Sequence, residues 1–138
     1  MSNAKKVLIA CGNQDICNLL VRQLAMLGYY QITIASEGVD AIRKATDENY
    51  YLIISNHWLS GIDGWAVVQA VREHEARSGN RAIVLGLSTQ TTPDPFGDAI
   101  AAGCNAFAQV PIPTSEDLQV AIQSAITAAS QSLEAISA

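Results

Sequence analysis

The sequence predicts an α/β fold in which one parallel sheet of five strands carries helices on both faces. The first observation is that five short apolar segments alternate with segments of helical periodicity. The second is that most of these apolar segments end at polar or small residues, as strands do before a loop. The third is the composition, with 138 residues, 49% hydrophobic and 15% charged, which suits one domain with a substantial core.

The first strand covers residues 5–10, where two lysines precede a continuous apolar run. A helix is predicted to follow from residue 14 or 15, with Asn13 as its cap and Gly28 as its stop. Its apolar residues recur at helical spacing, which predicts one buried face. These residues are Ile16, Leu19, Leu20, Leu24 and Leu27.

The second strand is predicted over residues 31–35, QITIA, and the second helix over the residues up to about Asn49. Ser36 is the predicted cap of this helix, since a hydroxyl can accept from the first free backbone amides. The residues predicted to face inward are Val39, Ile42 and Ala45.

The third strand is predicted over residues 51–55, because a short, partly β-branched apolar run is typical of a strand buried on both faces. A third helix should run from residue 64 or 65 to about Arg77, followed by a loop. Its predicted buried residues are Val67, Val68 and Val71.

The remaining elements are a fourth strand over residues 82–87, a short helix up to about residue 102 and a weak fifth strand over residues 106–109. The fourth strand ends at Ser88 and Thr89, and a turn-rich loop follows over residues 91–95. A last helix begins after two prolines, capped by Thr114 or Ser115. Its inward residues are predicted to be Leu118, Ile122, Ala125, Ile126, Ala129 and Leu133.

Five strand–helix units of this length predict a flavodoxin-like, doubly wound sheet with the strand order 2-1-3-4-5 and five helices. The domain is expected to span residues 5–129. Residues 1–4, Met-Ser-Asn-Ala, resemble the remnant of an expression tag, and residues 130–138 are expected to extend the last helix or to form a linker.

Charge and cysteine content narrow the classes of partner. The net charge of −5 disfavours nucleic acid and anionic membranes, and no apolar run approaches the ~20 residues of a membrane span. Arg81 is the last basic residue, so the final third is acidic and would attract basic partners. Cys11, Cys17 and Cys104 follow no metal spacing, which suits free thiols in the reducing cytoplasm.

The stretch from Tyr51 to Gly64, YLIISNHWLSGIDG, resembles the third strand and following loop of response-regulator receiver domains, which read roughly D-L-I-L-L-D-x-x-M-P-x-M-D-G. In that family the second Asp accepts a phosphoryl group from a histidine kinase. Aligned without gaps, Asn56 takes the phosphoacceptor position, Ser60 the proline position, and Asp63 with Gly64 the closing pair.

The resemblance extends from about residue 5 to residue 129 and assigns the other positions of the family's site. Cys11 and Gly12 stand where the family has its acidic Mg²⁺-binding pair, and Val110 stands where it has a lysine. Ser88 keeps the hydroxyl and Phe107 the aromatic residue of the family's switch. Pro111 is also kept, so the resemblance implies a cis peptide bond between Val110 and Pro111.

The missing residues belong together electrostatically. Carboxylates without the lysine, or the lysine without the carboxylates, would leave unbalanced charge in a cleft. A set of neutral residues avoids the free-energy cost of either arrangement. We therefore predict a pseudo-receiver of a two-component signalling protein, without enzymatic activity, Mg²⁺ binding or Asp phosphorylation. The resemblance implies that a histidine kinase or an output domain binds the face of the fourth helix, fifth strand and last helix. A homodimer remains open. Because no output domain is expected after the last helix of this sequence, we expect either a stand-alone adaptor or a piece of a longer kinase or regulator.

Several alternatives remain. Asp63 or Asp15 could serve as a displaced phosphoacceptor, or the neutral cleft near Cys11, Asn56 and Ser88 could bind a small molecule. Asn56 could mimic an acceptor state, or be a loop residue satisfied by backbone amides. Cys11 and His57 could form a nucleophilic or metal-binding pair, but the sequence supplies no third ligand and no orienting carboxylate. Trp58 could contact a partner, whereas Trp65 is expected to pack under the third helix.

Overall fold

The computed structural model describes residues 5–57, 59, 61–79, 81–88 and 95–137. Strands and helices alternate along the chain, as predicted. In chain order they are β1 (Lys6–Ala10), α1 (Gln14–Met26), β2 (Gln31–Ala35), α2 (Gly38–Asp47), β3 (Leu52–Asn56), α3 (Gly64–Ser78), β4 (Ile83–Ser88), α4 (Pro95–Ala102), β5 (Ala106–Gln109) and α5 (Ser115–Ser137).

All pairings in the sheet are parallel, and the strand order is β2-β1-β3-β4-β5, which confirms the predicted doubly wound fold. Successive side chains of a strand point to opposite faces, so β1 supplies both halves of the core. Val7 and Ile9 pack with α1 and α5 on one face, whereas Leu8 and Ala10 pack with α2, α3 and α4 on the other. Each half is a separate apolar cluster, and the sheet lies between them.

Helix ends follow the capping residues that the sequence indicates. The Asn13 side chain accepts a hydrogen bond from the Ile16 amide, which starts α1, and Gly28 follows its last turn with a φ of 92°. At α5 the two predicted alternatives are resolved, because the Thr114 hydroxyl accepts from the Asp117 amide at 3.1 Å. Ser115 is instead the first residue of that helix.

The start of α2 differs from the prediction. The helix begins at Gly38, so Ser36 is not its cap, and Glu37 in the cap position makes no side-chain capping bond. A Cβ on Gly38 would lie 2.5 Å from the Cβ of Ile62, so this glycine faces inward against the loop after β3. The neighbouring Val39 is consequently turned outward and is 64% exposed, contrary to the prediction that it is buried.

A polar network at the amino-terminal edge of the sheet joins α3 to the loops around β4 and β5. The Arg72 guanidinium donates to the carbonyls of Gly103 and Ala82, to Glu75 and to the Asn105 side chain, at 2.7 to 2.9 Å. Glu75 is buried and also accepts from the Ala82 amide at 2.6 Å. This network satisfies polar groups at the end of the sheet opposite the predicted site.

Among the described residues, no helix combines the length and apolar character needed to span a bilayer. The predicted positions Trp58, Ser60 and Thr89, residues 91–94 of the loop predicted over residues 91–95, the tag residues 1–4, the side chain of Leu133 and residue 138 lie outside the described part of the chain. Pro95, which was predicted to end that loop, is the first residue of α4.

Candidate functional site

The predicted site lies at the carboxyl ends of β1, β3 and β4, where open parallel sheets place their ligands. Cys11 directly follows β1, Asn56 is the last residue of β3, and Ser88 is the last residue of β4. Strands β1 and β3 are neighbours, with Ala10 in register with Ser55. The next residue of each strand-end pair, Cys11 and Asn56, therefore meets at the edge of the sheet.

The side chains of Cys11 and Asn56 contact each other. The Asn56 amide nitrogen Nδ2 donates to the Cys11 thiol sulfur at 3.5 Å. Both residues are buried, with exposed fractions of 1% for Cys11 and 4% for Asn56. The Cys11 thiol in turn donates to the carbonyl oxygen of Asn13 at 3.6 Å. The phosphoacceptor position is thus hydrogen-bonded to the neutral residue that stands in place of the acidic pair.

The loop after β3 is held against Asn56 by a close backbone approach at Gly64. A Cβ on Gly64 would lie 1.8 Å from the Asn56 carbonyl oxygen, so only glycine fits. Its amide also donates to the His57 carbonyl at 2.9 Å, while the buried Ser55 hydroxyl donates to the Gly64 carbonyl at 3.2 Å. The Asp63–Gly64 pair therefore closes the loop and fixes where β3 ends.

Asp63 acts as the cap of α3, since its carboxylate accepts from the Trp65 amide at 2.7 Å. The same carboxylate lies 3.3 Å from the His57 ring nitrogen Nε2. His57 stacks on Trp65 with the ring centroids 4.5 Å apart, and Phe107 packs edge-on against Trp65 with the ring centroids 6.5 Å apart. We call these three residues the aromatic row. His57 therefore points to Trp65 and Asp63, whereas the Cys11 thiol is bonded to Asn56 and Asn13.

Trp65 packs on the α2–α3 side of the core, as predicted, and its ring occupies the space next to Gly86, which has no side chain. A Cβ on Gly86 of β4 would lie 2.9 Å both from the Trp65 ring and from the Cys104 sulfur. The indole ring is therefore wedged over the middle of β4, next to Phe107. This arrangement connects the aromatic residue at the switch position to the loop that follows Asn56.

The lysine position of the family is occupied by a buried apolar side chain. Val110 belongs to the core cluster on the α1–α5 face, and its amide donates to the Ser88 carbonyl at 3.1 Å. The peptide bond between Val110 and Pro111 is cis, as the resemblance implied. The strand-end cluster, defined as Cys11, Gly12, Asn56, Ser88 and Val110, thus contains no charged side chain.

Metal coordination has little support in this cluster. Mg²⁺ prefers hard oxygen ligands, usually including carboxylates, and the cluster offers a thiol, two neutral polar side chains, a glycine and a valine. Nowhere among the described residues do three His, Cys, Asp or Glu side chains come together in a metal-binding group. The donor set of the cluster therefore does not fit a magnesium ion.

A pocket of about 250 Å³ opens beside Cys11, between the end of β1, the start of α1 and β2. We call it the thiol pocket; its lining residues are Cys11, Gly12, Gln14, Cys17, Asn18, Ile34 and Ser36. The Cys17 thiol donates to the Cys11 carbonyl at 3.4 Å. Burial raises the pKa of Cys17 to about 11, and the neighbouring Cys11 thiol adds to this shift. Cys17 was predicted to be a free thiol, but its position beside Cys11 in this pocket was not predicted.

The two displaced carboxylates considered from the sequence occupy ordinary positions at helix starts. Asp63 is the exposed cap of α3, and Asp15 lies in the first turn of α1, where a negative charge favours the helix. Asp63 caps α3 and lies beside His57, and Asp15 belongs to the first turn of α1, so both carboxylates have the roles of ordinary helix-start residues.

Comparison with known proteins identifies the family. The family described as response regulator receiver domain matches residues 7–123. The chain is 30% identical over 87 residues to a probable chemotaxis protein CheY from Rhizobium etli, covering 62% of this chain and 67% of that protein. It is 27% identical over 108 residues to hybrid signal transduction histidine kinase G of Dictyostelium discoideum, covering 78% of this chain. It is 28% identical over 111 residues to the transcriptional regulatory protein HprR of Escherichia coli, covering 80% of this chain.

The chain spans only 3% of the Dictyostelium kinase and 47% of the Escherichia coli regulator. Among solved structures, the fold is similar to a putative response regulator from Chloroflexus aurantiacus, with a TM-score of 0.76 at 21% identity, covering 90% of this chain and 99% of that one. It is also similar to the receiver domain of a sensor histidine kinase from Pseudomonas aeruginosa with magnesium ion coordinated in the active site cleft, with a TM-score of 0.75 at 23% identity, covering 87% and 95% of the two chains. The family match over most of the chain and the shared fold together show that this chain belongs to the response regulator receiver domain family of two-component signalling proteins.

Proposed function

We propose that this domain is a pseudo-receiver, which signals by contact with other proteins and is not phosphorylated on aspartate. One observation carries the proposal, namely the buried hydrogen bond between the Asn56 amide and the Cys11 thiol. An amide carries no negative charge and is a poor nucleophile toward phosphorus, so Asn56 cannot perform the step expected of an aspartate. Its side-chain nitrogen is moreover hydrogen-bonded to Cys11, which stands where the family has a carboxylate that binds Mg²⁺.

The surroundings of Asn56 support the same proposal. A phosphoryl group brings negative charge, which a receiver balances with a divalent cation and a lysine. At these positions the chain has Cys11 and Gly12 on one side and the buried Val110 on the other. Bringing a phosphoryl anion into this neutral cluster would incur a large desolvation penalty with no opposite charge to offset it. We therefore expect neither stable phosphorylation nor tight Mg²⁺ binding.

The partner surface that we propose is formed by α4, β5 and α5. Two of its apolar side chains are exposed, Ile100 on α4 and Val120 on α5. The same two helices carry the exposed acidic residues Asp98, Glu116 and Asp117, and no basic residue follows Arg81. Such a surface suits a histidine kinase or an output domain with a basic rim and an apolar centre, located in the cytoplasm. The same charge disfavours nucleic acid and membranes as partners, while a homodimer through this face remains an alternative.

Acetyl phosphate tests the proposal. The purified domain is incubated with acetyl phosphate and Mg²⁺, and its intact mass is measured before and after treatment with hydroxylamine, which cleaves acyl phosphates. We expect no added phosphate on the natural sequence and none on Asn56→Asp alone, because the metal ligands and the lysine are still missing. A matched positive control restores all four family residues through Cys11→Asp, Gly12→Asp, Asn56→Asp and Val110→Lys.

A hydroxylamine-sensitive phosphate on the natural sequence would overturn the proposal. The variants Asp63→Asn and Asp15→Asn would then identify a displaced acceptor, because loss of the adduct in one of them assigns the site. Phosphorylation of the four-site variant would show that the fold can still support the reaction, so that a negative result for the natural sequence would have a chemical meaning.

A second candidate function is the sensing of a small molecule, which the thiol pocket favours. Its volume of about 250 Å³ suits a small ligand, and its lining combines thiols, amides and a hydroxyl with one apolar side chain, Ile34. Asn56 and Ser88 are not among its lining residues, so only Cys11 of the three residues proposed from the sequence borders it. Native mass spectrometry of the domain should show a bound molecule, and Ile34→Trp should displace it if this function is correct.

A further inference from the structure

Two cysteines, Cys11 and Cys17, line the thiol pocket, and both thiols donate to backbone carbonyls of residues 11–13. Cys11 follows β1 and Cys17 lies in the second turn of α1, and both are buried while bordering the same opening. The Cys17 thiol donates to the Cys11 carbonyl at 3.4 Å, and the Cys11 thiol donates to the Asn13 carbonyl at 3.6 Å. Both sulfur atoms thus lie against the backbone between residues 11 and 13, and a small reagent could reach them through the pocket.

We propose that Cys11 and Cys17 form an oxidisable dithiol, which a small disulfide of the glutathione class converts into an intramolecular disulfide bond. The inference deepens the proposed function, on which it rests, because it gives the neutral cleft a chemical input other than phosphorylation. The acidic pair of an ordinary receiver would leave no thiol beside the acceptor position, whereas Cys11 here is in contact with Asn56.

The exchange is balanced in two steps. The Cys11 thiolate attacks one sulfur of the small disulfide, forming a mixed disulfide and releasing the first small thiolate, which takes a proton. The Cys17 thiol then loses its proton and attacks the Cys11 sulfur, so that the protein disulfide forms and the second small thiolate leaves. Two protein thiols are oxidised, and one small disulfide is reduced to two small thiols.

The surroundings assign a different role to each sulfur. Asn56 donates a hydrogen bond to the Cys11 sulfur, and a thiolate accepts such a bond more strongly than a thiol does, which suits Cys11 to the first attack. Burial raises the pKa of Cys17 to about 11, so this thiol stays protonated until the mixed disulfide brings an electrophilic sulfur next to it. Cys17 is therefore the resolving thiol.

Oxidation would change the strand-end cluster directly. A bond to Cys17 turns the Cys11 sulfur toward α1 and removes its ability to accept from Asn56 in the present geometry. Asn56 then loses this hydrogen bond, and its backbone carbonyl lies against Gly64, the first residue of α3, which Trp65 directly follows. The redox state of the pocket would thus be transmitted to the aromatic row of His57, Trp65 and Phe107.

The positions of the basic residues make the test direct. Trypsin releases residues 7–22 as one peptide, which contains Cys11 and Cys17, whereas Cys104 lies in the separate peptide 82–138. The folded domain is treated with glutathione disulfide, and the remaining thiols are alkylated in urea. The masses of the tryptic peptides are then measured by mass spectrometry. We expect the peptide 7–22 to lose two hydrogens and take up no alkyl group, while Cys104 is fully alkylated.

Cys104 is the matched internal control, because it is also a buried thiol but lies on the other face of the sheet. In Cys17→Ala the reaction should stop with one glutathione on the peptide 7–22, and in Cys104→Ala it should proceed as in the natural sequence. In a nitrogen–proton NMR spectrum of the natural sequence, the signal of the Asn56 side-chain amide should shift on oxidation and should return to its first position when the disulfide is reduced.

The inference is overturned if both thiols of the peptide 7–22 are alkylated in full, if Cys104 is oxidised equally fast, or if the disulfide joins two protein molecules. Reaction only after unfolding in urea would overturn it as well. These outcomes do not bear on the acetyl phosphate experiment. A domain that is neither phosphorylated nor oxidised supports the proposed function and removes only the dithiol. A phosphorylated domain would overturn the proposed function, and an oxidised dithiol would then no longer be its input.

Discussion

The side-chain amide of Asn56 and the thiol sulfur of Cys11 lie 3.5 Å apart, buried between the ends of β1 and β3. A receiver that accepts phosphate concentrates negative charge at these two positions and binds a cation there. In this chain the side chains at the two positions instead hydrogen-bond to each other as neutral groups, which costs less free energy than burying unpaired charges there. The contact therefore connects the proposed absence of phosphorylation with the stability of the fold.

We predict that Asn56→Asp destabilises the domain by roughly 1–3 kcal/mol at neutral pH, because it buries a carboxylate with no cation nearby. Burial raises the pKa of such a carboxyl above the ~3.9 of the unfolded chain, so the native state holds its proton longer. Stability must then fall as the pH rises from about 4 through the folded-state pKa. Urea unfolding of both proteins at pH 4.5 and pH 7.5 measures this difference.

The matched control for this prediction is Asn56→Ser, which keeps a neutral polar group at the position. Its stability loss should be the same at both pH values, since nothing new titrates. If Asn56→Asp were also equally destabilised at both values, the carboxylate would not be desolvated, and the neutral cleft would not explain the substitution.

The glycine at the start of α3 gives a second prediction. Gly64→Ala should cost about 3 kcal/mol or more, because the new Cβ would lie 1.8 Å from the Asn56 carbonyl and the backbone must move. Gly12→Ala is the control, since its Cβ would lie 3.2 Å from the Ser36 carbonyl and a small shift relieves it. Urea midpoints of the two variants should therefore differ clearly, and equal midpoints would contradict the close approach at Gly64.

The fold could be predicted because its signals are local. Each strand is a short apolar run and each helix has a periodic apolar face, so their order along the chain was enough to give the sheet topology. The start of α2 could not be predicted in this way, because Gly38 is fixed by Ile62, a residue in a loop distant in sequence. Sequence patterns contain no record of that contact, and Ser36 and Val39 were assigned wrongly for this reason.

The site was predictable in position but not in its contacts. Parallel strands bring Cys11 and Asn56 to one edge, as the topology requires, yet the hydrogen bond between them depends on side-chain directions that no periodicity encodes. Cys17 was read as one of three unrelated thiols, although a helix that starts at residue 14 returns its second turn to the end of β1. The role of Arg72 was missed, because these acceptors come from two segments that lie outside α3, at Ala82 and at residues 103–105.

Arg72 leads to a third prediction. Arg72→Met should destabilise the domain by about 2–4 kcal/mol, because it leaves the buried Glu75 carboxylate without its cation and two carbonyls without a donor. Arg43→Met is the control on the surface, where loss of the solvent-exposed pair with Asp40 should change the stability far less than Arg72→Met does. The double variant Arg72→Met with Glu75→Gln should recover part of the loss, which urea unfolding can measure. No recovery would mean that the buried charge on Glu75 is not the cause.

Cys104 provides a prediction about alkaline pH. Burial raises the pKa of this thiol to about 12, and the nearby charge of Arg72 opposes the shift only in part. The unfolded chain loses the thiol proton near pH 9 while the folded chain keeps it, so between these values the native state binds more protons and its stability falls as the pH rises. The slope for one such group approaches about 1.4 kcal/mol per pH unit.

Cys104→Ala lacks this contribution, so the stability advantage of the natural sequence over the variant should shrink by about 1 kcal/mol between pH 8.5 and pH 10. Taking the difference between the two proteins cancels the titration of lysines and tyrosines, which both share. If urea unfolding shows a constant difference over this range, the Cys104 thiol is not held neutral by burial.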